Sequence, residues 1–209
     1  MLNRYFMAAA LGLALTSCDS TIEDATSKRP KTNVSHSEED GVVTADAKAD
    51  SDNTIVASSD SDSAGSYVDI PAGALAVDTD LLMGDGKDKS ADILNKLGVS
   101  TSTNAIVSKS APMVVQGADD VELAKPFTVA LPIPQQDGFT LTASGKLVFI
   151  YVVFTSEGLK AGIKALTAEN LAGVFVKSEF EGLGYFQIAY FADEVEDQEV
   201  TYDTRPELE

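Results

Sequence analysis

The 209 residues are 44% hydrophobic, which suits one domain with a real core plus additional segments. A net charge of −18 repels nucleic-acid phosphates and sets DNA and RNA binding aside. With one Cys there is no internal disulfide, and with one His there are too few groups for a zinc site or a His-dependent catalytic triad in a folded region.

The first element expected in the chain is an export signal over residues 1–17. Arg4 is the only charged side chain before Cys18, and an apolar run fills residues 5–15. That run fits the hydrophobic stretch of a signal peptide and is too short to span a bilayer, which takes about 20 residues. The run ends at Leu15, and Thr16, Ser17 and Cys18 follow it directly. This stretch resembles the lipobox of bacterial lipoproteins. The resemblance implies that the Cys18 thiol carries a diacylglyceryl group and that the leader is cut off just before it. Two or more acyl chains then hold the protein stably on a membrane. The expected location is the bacterial cell envelope, on the inner or the outer membrane.

Residues 18–64 read as a disordered acidic tether. Asp and Glu sit among Ser, Thr and Ala, and no aromatic residue occurs until Tyr67. Such a composition offers little apolar surface to offset the entropy of ordering. As a flexible coil it would span about 35–40 Å. His36 falls in this stretch and reads as a solvated side chain rather than a base or a metal ligand, because a disordered segment holds no base against a nucleophile.

A domain is expected over residues 65–192. Val68 and Ile70 alternate with Tyr67 and Asp69; Phe127, Val129 and Leu131 with Thr128 and Ala130; Phe186, Ile188 and Tyr190 with Tyr185, Gln187 and Ala189. Period two with β-branched and aromatic side chains marks strands with one face in a core. Residues 113–116 and 173–178 are also strand-like. Residues 146–154, KLVFIYVVF, are apolar on both faces and predict a central strand covered on both sides. Turn signals separate these runs at Pro71-Ala72-Gly73, Gly84-Asp85-Gly86, Asp137-Gly138 and Glu181-Gly182. One short helix is expected from Ser90 to Leu97, with Ser90 as its cap, Asp92 in its first turn and Gly98 ending it. In residues 158–166, Leu159, Ile163 and Leu166 fit a helix, while Leu159, Ala161 and Ile163 also fit a strand; the strand reading is adopted. The fold class is all-β, an antiparallel β-sandwich. Residues 193–209 are mostly acidic and read as a frayed tail.

Two stretches, YVDIPAGALAVDTDLLMG at 67–84 and LAKPFTVALPIP at 123–134, together resemble the ZU5 domain. This is a β-sandwich module of ankyrins, netrin receptors and bacterial envelope proteins. The shared turn is Ile70, Pro71, Ala72, Gly73, Ala74 and Leu75, followed later by a Pro-bearing strand from Lys125 through Pro134. Some members cleave themselves at a His-Phe-Ser near the end of the domain. The matching stretch here, Gly184, Tyr185, Phe186 and Gln187, has neither the activating His nor the nucleophilic Ser, so no self-cleavage is expected.

No other motif carries chemistry. Phosphate-cradling glycine loops are absent. Asp78, Asp80, Asp85 and Asp88 lie close in sequence and raise the idea of calcium, but their spacing lacks the bidentate Glu of the helix-loop-helix site and a solvated acidic loop is favoured. No catalytic residue, cofactor or metal is therefore assigned. The expected function is a lipid-anchored, non-catalytic interaction or structural module that meets another envelope protein or an external ligand. The alternative is an envelope hydrolase using paired carboxylates on glycan or peptide.

Overall fold

The computed structural model describes residues 30–99, 106–117, 121–133, 146–172 and 174–208. The chain forms two packed antiparallel sheets, an all-β sandwich with one short helix. The strands, in chain order, are β1 (His36–Glu39), β2 (Val42–Ala47), β3 (Asn53–Val56), β4 (Tyr67–Ile70), β5 (Thr79–Asp85), β6 (Ile106–Lys109), β7 (Met113–Gly117), β8 (Glu122–Pro132), β9 (Leu147–Thr155), β10 (Gly158–Ala165), β11 (Leu171–Ala172), β12 (Phe175–Gly182), β13 (Gly184–Phe191) and β14 (Gln198–Thr201). The helix α1 spans Ser90–Lys96. The larger sheet runs β1-β2-β5-β7-β13-β9-β10-β14, with β6 also paired to β13; the smaller runs β11-β12-β8-β4-β3.

Alternation decides which side chains meet between the sheets. From β9, Leu147, Phe149, Tyr151 and Val153 point inward with Phe186 and Ile188 of β13, Val68 and Ile70 of β4, and Phe127, Val129 and Leu131 of β8. Ring edges meet ring faces in this layer: Phe149 and Phe180 are 5.3 Å apart at 78°, and Phe127 and Phe186 are 5.9 Å apart at 73°. The alternate residues of β9, namely Val148, Ile150 and Val152, form a second core on the outer face of the larger sheet. Ile93 and Leu94 of α1 cover that face together with Val195 and Tyr202 from the end of the chain. The doubly apolar run is thus a central strand buried on both sides, and residues 158–165 are a strand, as expected.

Several sequence expectations differ from the structure. Residues 30–64 are not a tether: β1, β2 and β3 lie within them, and Val43, Ala45, Ala47 and Ile55 are fully buried. Their acids occupy turns and the exposed alternate positions, so the acidic composition coexists with a buried face. The end of the chain is not frayed. β14 pairs with β10 over four residues, and Leu208 bridges to Gly86. The apolar outer face of β9 supplies the reason, since it needs a cover and the terminal segment is part of it. Lastly, Gly84 and Asp85 belong to β5 rather than a turn, and Lys89 rather than Ser90 caps α1. Asp88 accepts from the Ser90 N–H at 2.9 Å and from its hydroxyl at 2.6 Å, which takes the place of a capping side chain on Lys89.

Candidate functional site

The residues singled out in the sequence are spread over the molecule. Cys18 lies outside the described residues. His36 sits on the exposed edge strand β1, its Nδ1 3.1 Å from the Val34 carbonyl and its Nε2 3.9 Å from Glu38. The four aspartates do not converge. Asp78 accepts from the Ala49 N–H at 3.0 Å and pairs with Lys48 at 3.2 Å. Asp80 faces solvent on β5. Asp85 accepts from two successive amides, Asp62 at 2.6 Å and Ser63 at 2.8 Å, and so pins the β3–β4 loop to the larger sheet. Asp88 pairs with Lys109 and Ser90. Among the described residues no three metal-ligating side chains gather around one point.

The two stretches behind the family resemblance do meet. β4 pairs with β8 through Tyr67–Ala130, Val68–Val129 and Asp69–Thr128. The turn after β4 is held on three sides. The Ala72 N–H donates to Asp52 at 2.9 Å, the Gly73 N–H to the Ala49 carbonyl at 2.7 Å, and Lys125 Nζ to the Ala72 carbonyl at 2.6 Å. Ala74 and Leu75 then plug the core. At residues 184–187 the side chains are committed to β13 and its neighbours. The Tyr185 hydroxyl donates to Gln187 at 2.7 Å and accepts from the Lys89 N–H at 3.2 Å, and Gln187 donates to the Ser110 carbonyl at 2.8 Å. Burial pushes the Tyr185 phenol well above its ordinary range, so it stays a neutral donor.

The most site-like feature is an open groove of about 480 Å³ along one side of the sandwich. It arises because the sheets differ in width. β9 faces the smaller sheet, while β10 and β14 extend past β12. Ala161 and Ile163 of β10 pack outward, which turns Lys160, Gly162 and Lys164 toward the groove. Tyr151, Gly162 and Glu199 lie in register across β9, β10 and β14. The Tyr151 ring crosses Gly162 and its hydroxyl donates to Glu199 at 2.9 Å. A Cβ at Gly162 would lie 2.5 Å from that hydroxyl and 2.5 Å from the Gln198 carbonyl, so only glycine admits this crossing.

Lys160 ties the floor together, 2.6 Å from Glu157 and 3.5 Å from Glu199. The hydrogen bond from Lys160 holds Glu157 below its usual range, and the same bond, seen from the other side, raises Lys160. Burial and then the Glu199 hydrogen bond raise Tyr151. All three shifts favour the resting charge states at neutral pH. Lys164 reaches the far wall, donating to the Glu179 carbonyl at 2.9 Å with its cation 5.2 Å from the centre of the Phe180 ring.

None of the groove's architecture was singled out in the sequence, because its walls come from β8, β9, β10, β12 and β14. The one local signal is Gly162, an isolated glycine inside a strand pattern, which marks close approach of another group. Compared with known proteins, the chain matches no family model and no curated protein.

Proposed function

We propose that this protein is a cell-envelope lipoprotein, held to a membrane by lipid on Cys18, whose sandwich serves as a non-catalytic interaction or structural module of the ZU5-like kind. One observation carries the anchor: an apolar run over residues 5–15 that leads directly into Thr16-Ser17-Cys18. Thr32 already bonds to β3, and chain geometry limits its distance from Cys18 to about 50 Å even when fully extended, so the module works close to the bilayer surface. Facing turn and strand at 70–75 and 125–132 support the ZU5-like reading.

The groove favours binding over hydrolysis. Two of its carboxylates, Glu157 and Glu199, share Lys160. A glycosidase acid needs a carboxyl raised toward neutrality, and Lys160 pushes Glu157 the opposite way. The anchor is tested with Cys18→Ser. Loss of palmitate incorporation and release from the membrane fraction are expected; unchanged labelling would refute the lipid anchor.

A further inference from the structure

The smaller sheet ends in two differently finished edges. At β3 the edge is closed by the chain itself: the Asn33 N–H donates to the Thr54 carbonyl at 3.1 Å, Asn33 Oδ1 accepts from the Thr54 N–H at 2.8 Å, and Thr32 Oγ1 from the Val56 N–H at 3.0 Å. At the other end β11 pairs with β12 only through Leu171–Val176 and Ala172–Phe175. From Lys177 to Glu181, β12 is paired with β8 on one side and, among the described residues, has no strand on the other. Two of its carbonyls are met by side chains instead: Lys177 by Asn170 Nδ2 at 2.9 Å and Glu179 by Lys164 Nζ at 2.9 Å. An open strand edge is a template for a further strand, and side-chain donors are caps that another backbone can replace.

This edge also overlooks a ready-made floor, because β10 and β14 project beneath the place where a sixth strand would lie. We propose that β12, from Lys177 to Glu181, accepts an extended segment of a partner polypeptide as an added strand, with basic residues alternating with apolar ones. The alternation follows from the faces of β12. Val176 and Phe180 point inward, so Glu179 and Glu181 point outward. Both are exposed, and neither has an ion-pair partner among the described residues. Basic side chains on the added strand stand across from these two carboxylates. The alternate apolar side chains turn into the groove, onto Phe180, Tyr151 and the stem of Lys164. The net charge of −18 steers a basic segment toward the molecule.

This inference rests on the interaction-module reading and names the partner's chemistry. It is tested on the full chain with a short synthetic peptide of alternating lysine and valine, followed by calorimetry and by amide shifts of β12. Saturable binding that weakens with salt is expected, with shifts at Lys177 and Glu179. Glu179→Lys with Glu181→Lys should weaken it by roughly tenfold or more, and Lys164→Met, which uncovers the Glu179 carbonyl and keeps the apolar stem, should tighten it. A peptide methylated on the backbone nitrogens that would face β12 should not bind. Equal binding of that peptide, binding of a glutamate–valine peptide instead, or no binding at all would overturn the docking proposal and leave the module reading standing. Cleavage of the peptide would overturn the non-catalytic reading itself.

Discussion

β2 and β9 both place side chains in the core between the sheets, and they look nothing alike in sequence. β9 is LVFIYVVFT, buried through most of its length. β2 is VVTADA, and its buried face consists of Val43, Ala45 and Ala47, each at 0% exposure. Each Ala or Val removes little apolar area from water, at about 25 cal/mol per Å², so β2 contributes little to any hydropathy reading. Its place is secured by neighbours: β1 on one side, β5 on the other, and the inner core below. The contrast teaches that a strand next to an edge needs only a small, regular buried face, and that acids on its other face say little about order.

The largest effect should come from removing residues 1–65. That deletes β1, β2 and β3 and strips the cover from Met83, Leu81 and Ile70. The expected outcome is loss of a cooperative melting transition by circular dichroism, whereas removing residues 1–29 should preserve it. Retention of a sharp transition without β1–β3 would return the domain boundary to residue 65. Single substitutions should rank the two strands. Phe149→Ala is expected to cost about 3–5 kcal/mol in urea unfolding, and Val43→Ala about 2 kcal/mol. A negligible cost at Val43 would mean that β2 is not packed as described. Asp85→Ala leaves the Asp62 and Ser63 amides without their acceptor and should cost about 1–3 kcal/mol, with faster exchange confined to the β3–β4 loop.

The smallest effect concerns acid. Burial pushes the Asp88 carboxyl up, but hydrogen bonds from Lys109 and Ser90 outweigh it and leave the pKa below the ordinary 3.8. A carboxylate with a depressed folded-state pKa stabilises the protein above its unfolded pKa, and that stabilisation fades as pH falls through the folded value. Asp88→Asn should therefore lose stability at neutral pH and show a shallower decline below about pH 4. Parallel acid-unfolding curves for the two proteins would contradict the pairing.

The fold class was legible because strands such as β4, β8, β9 and β13 combine strict alternation with aromatic or β-branched residues. The helix was legible from Asp92 in its first turn and from its terminal Gly98. The N-terminal hairpin carried a signal that composition masked. Asp40 and Gly41 form its two-residue turn, with φ of 49° and 81°, between the paired residues Glu39 and Val42. An Asp-Gly pair flanked by strands is a strong hairpin cue, because both positions need positive φ. The terminal segment was harder to read. Interspersed with its acids, Val195, Tyr202 and Pro206 are buried, with Val200 and Leu208 partly so. Its order depends on a face built by β9, and on contacts with α1 such as Lys96 with Asp203 at 2.6 Å and Lys96 over the Tyr202 ring at 4.7 Å. The groove lay further still from sequence reasoning, since the row Tyr151, Gly162 and Glu199 exists only once the register of three strands is set.

Hydrogen exchange on the intact protein tests most directly whether a single sandwich extends from Pro30 to Leu208. Amides of Val43 and Ala45 in β2 and of Val200 in β14 should exchange through the same global opening as those of Phe149 and Tyr151. Rapid exchange at β2 and β14 beside a protected β9 would contradict that continuity and restore a smaller domain between two unstructured arms.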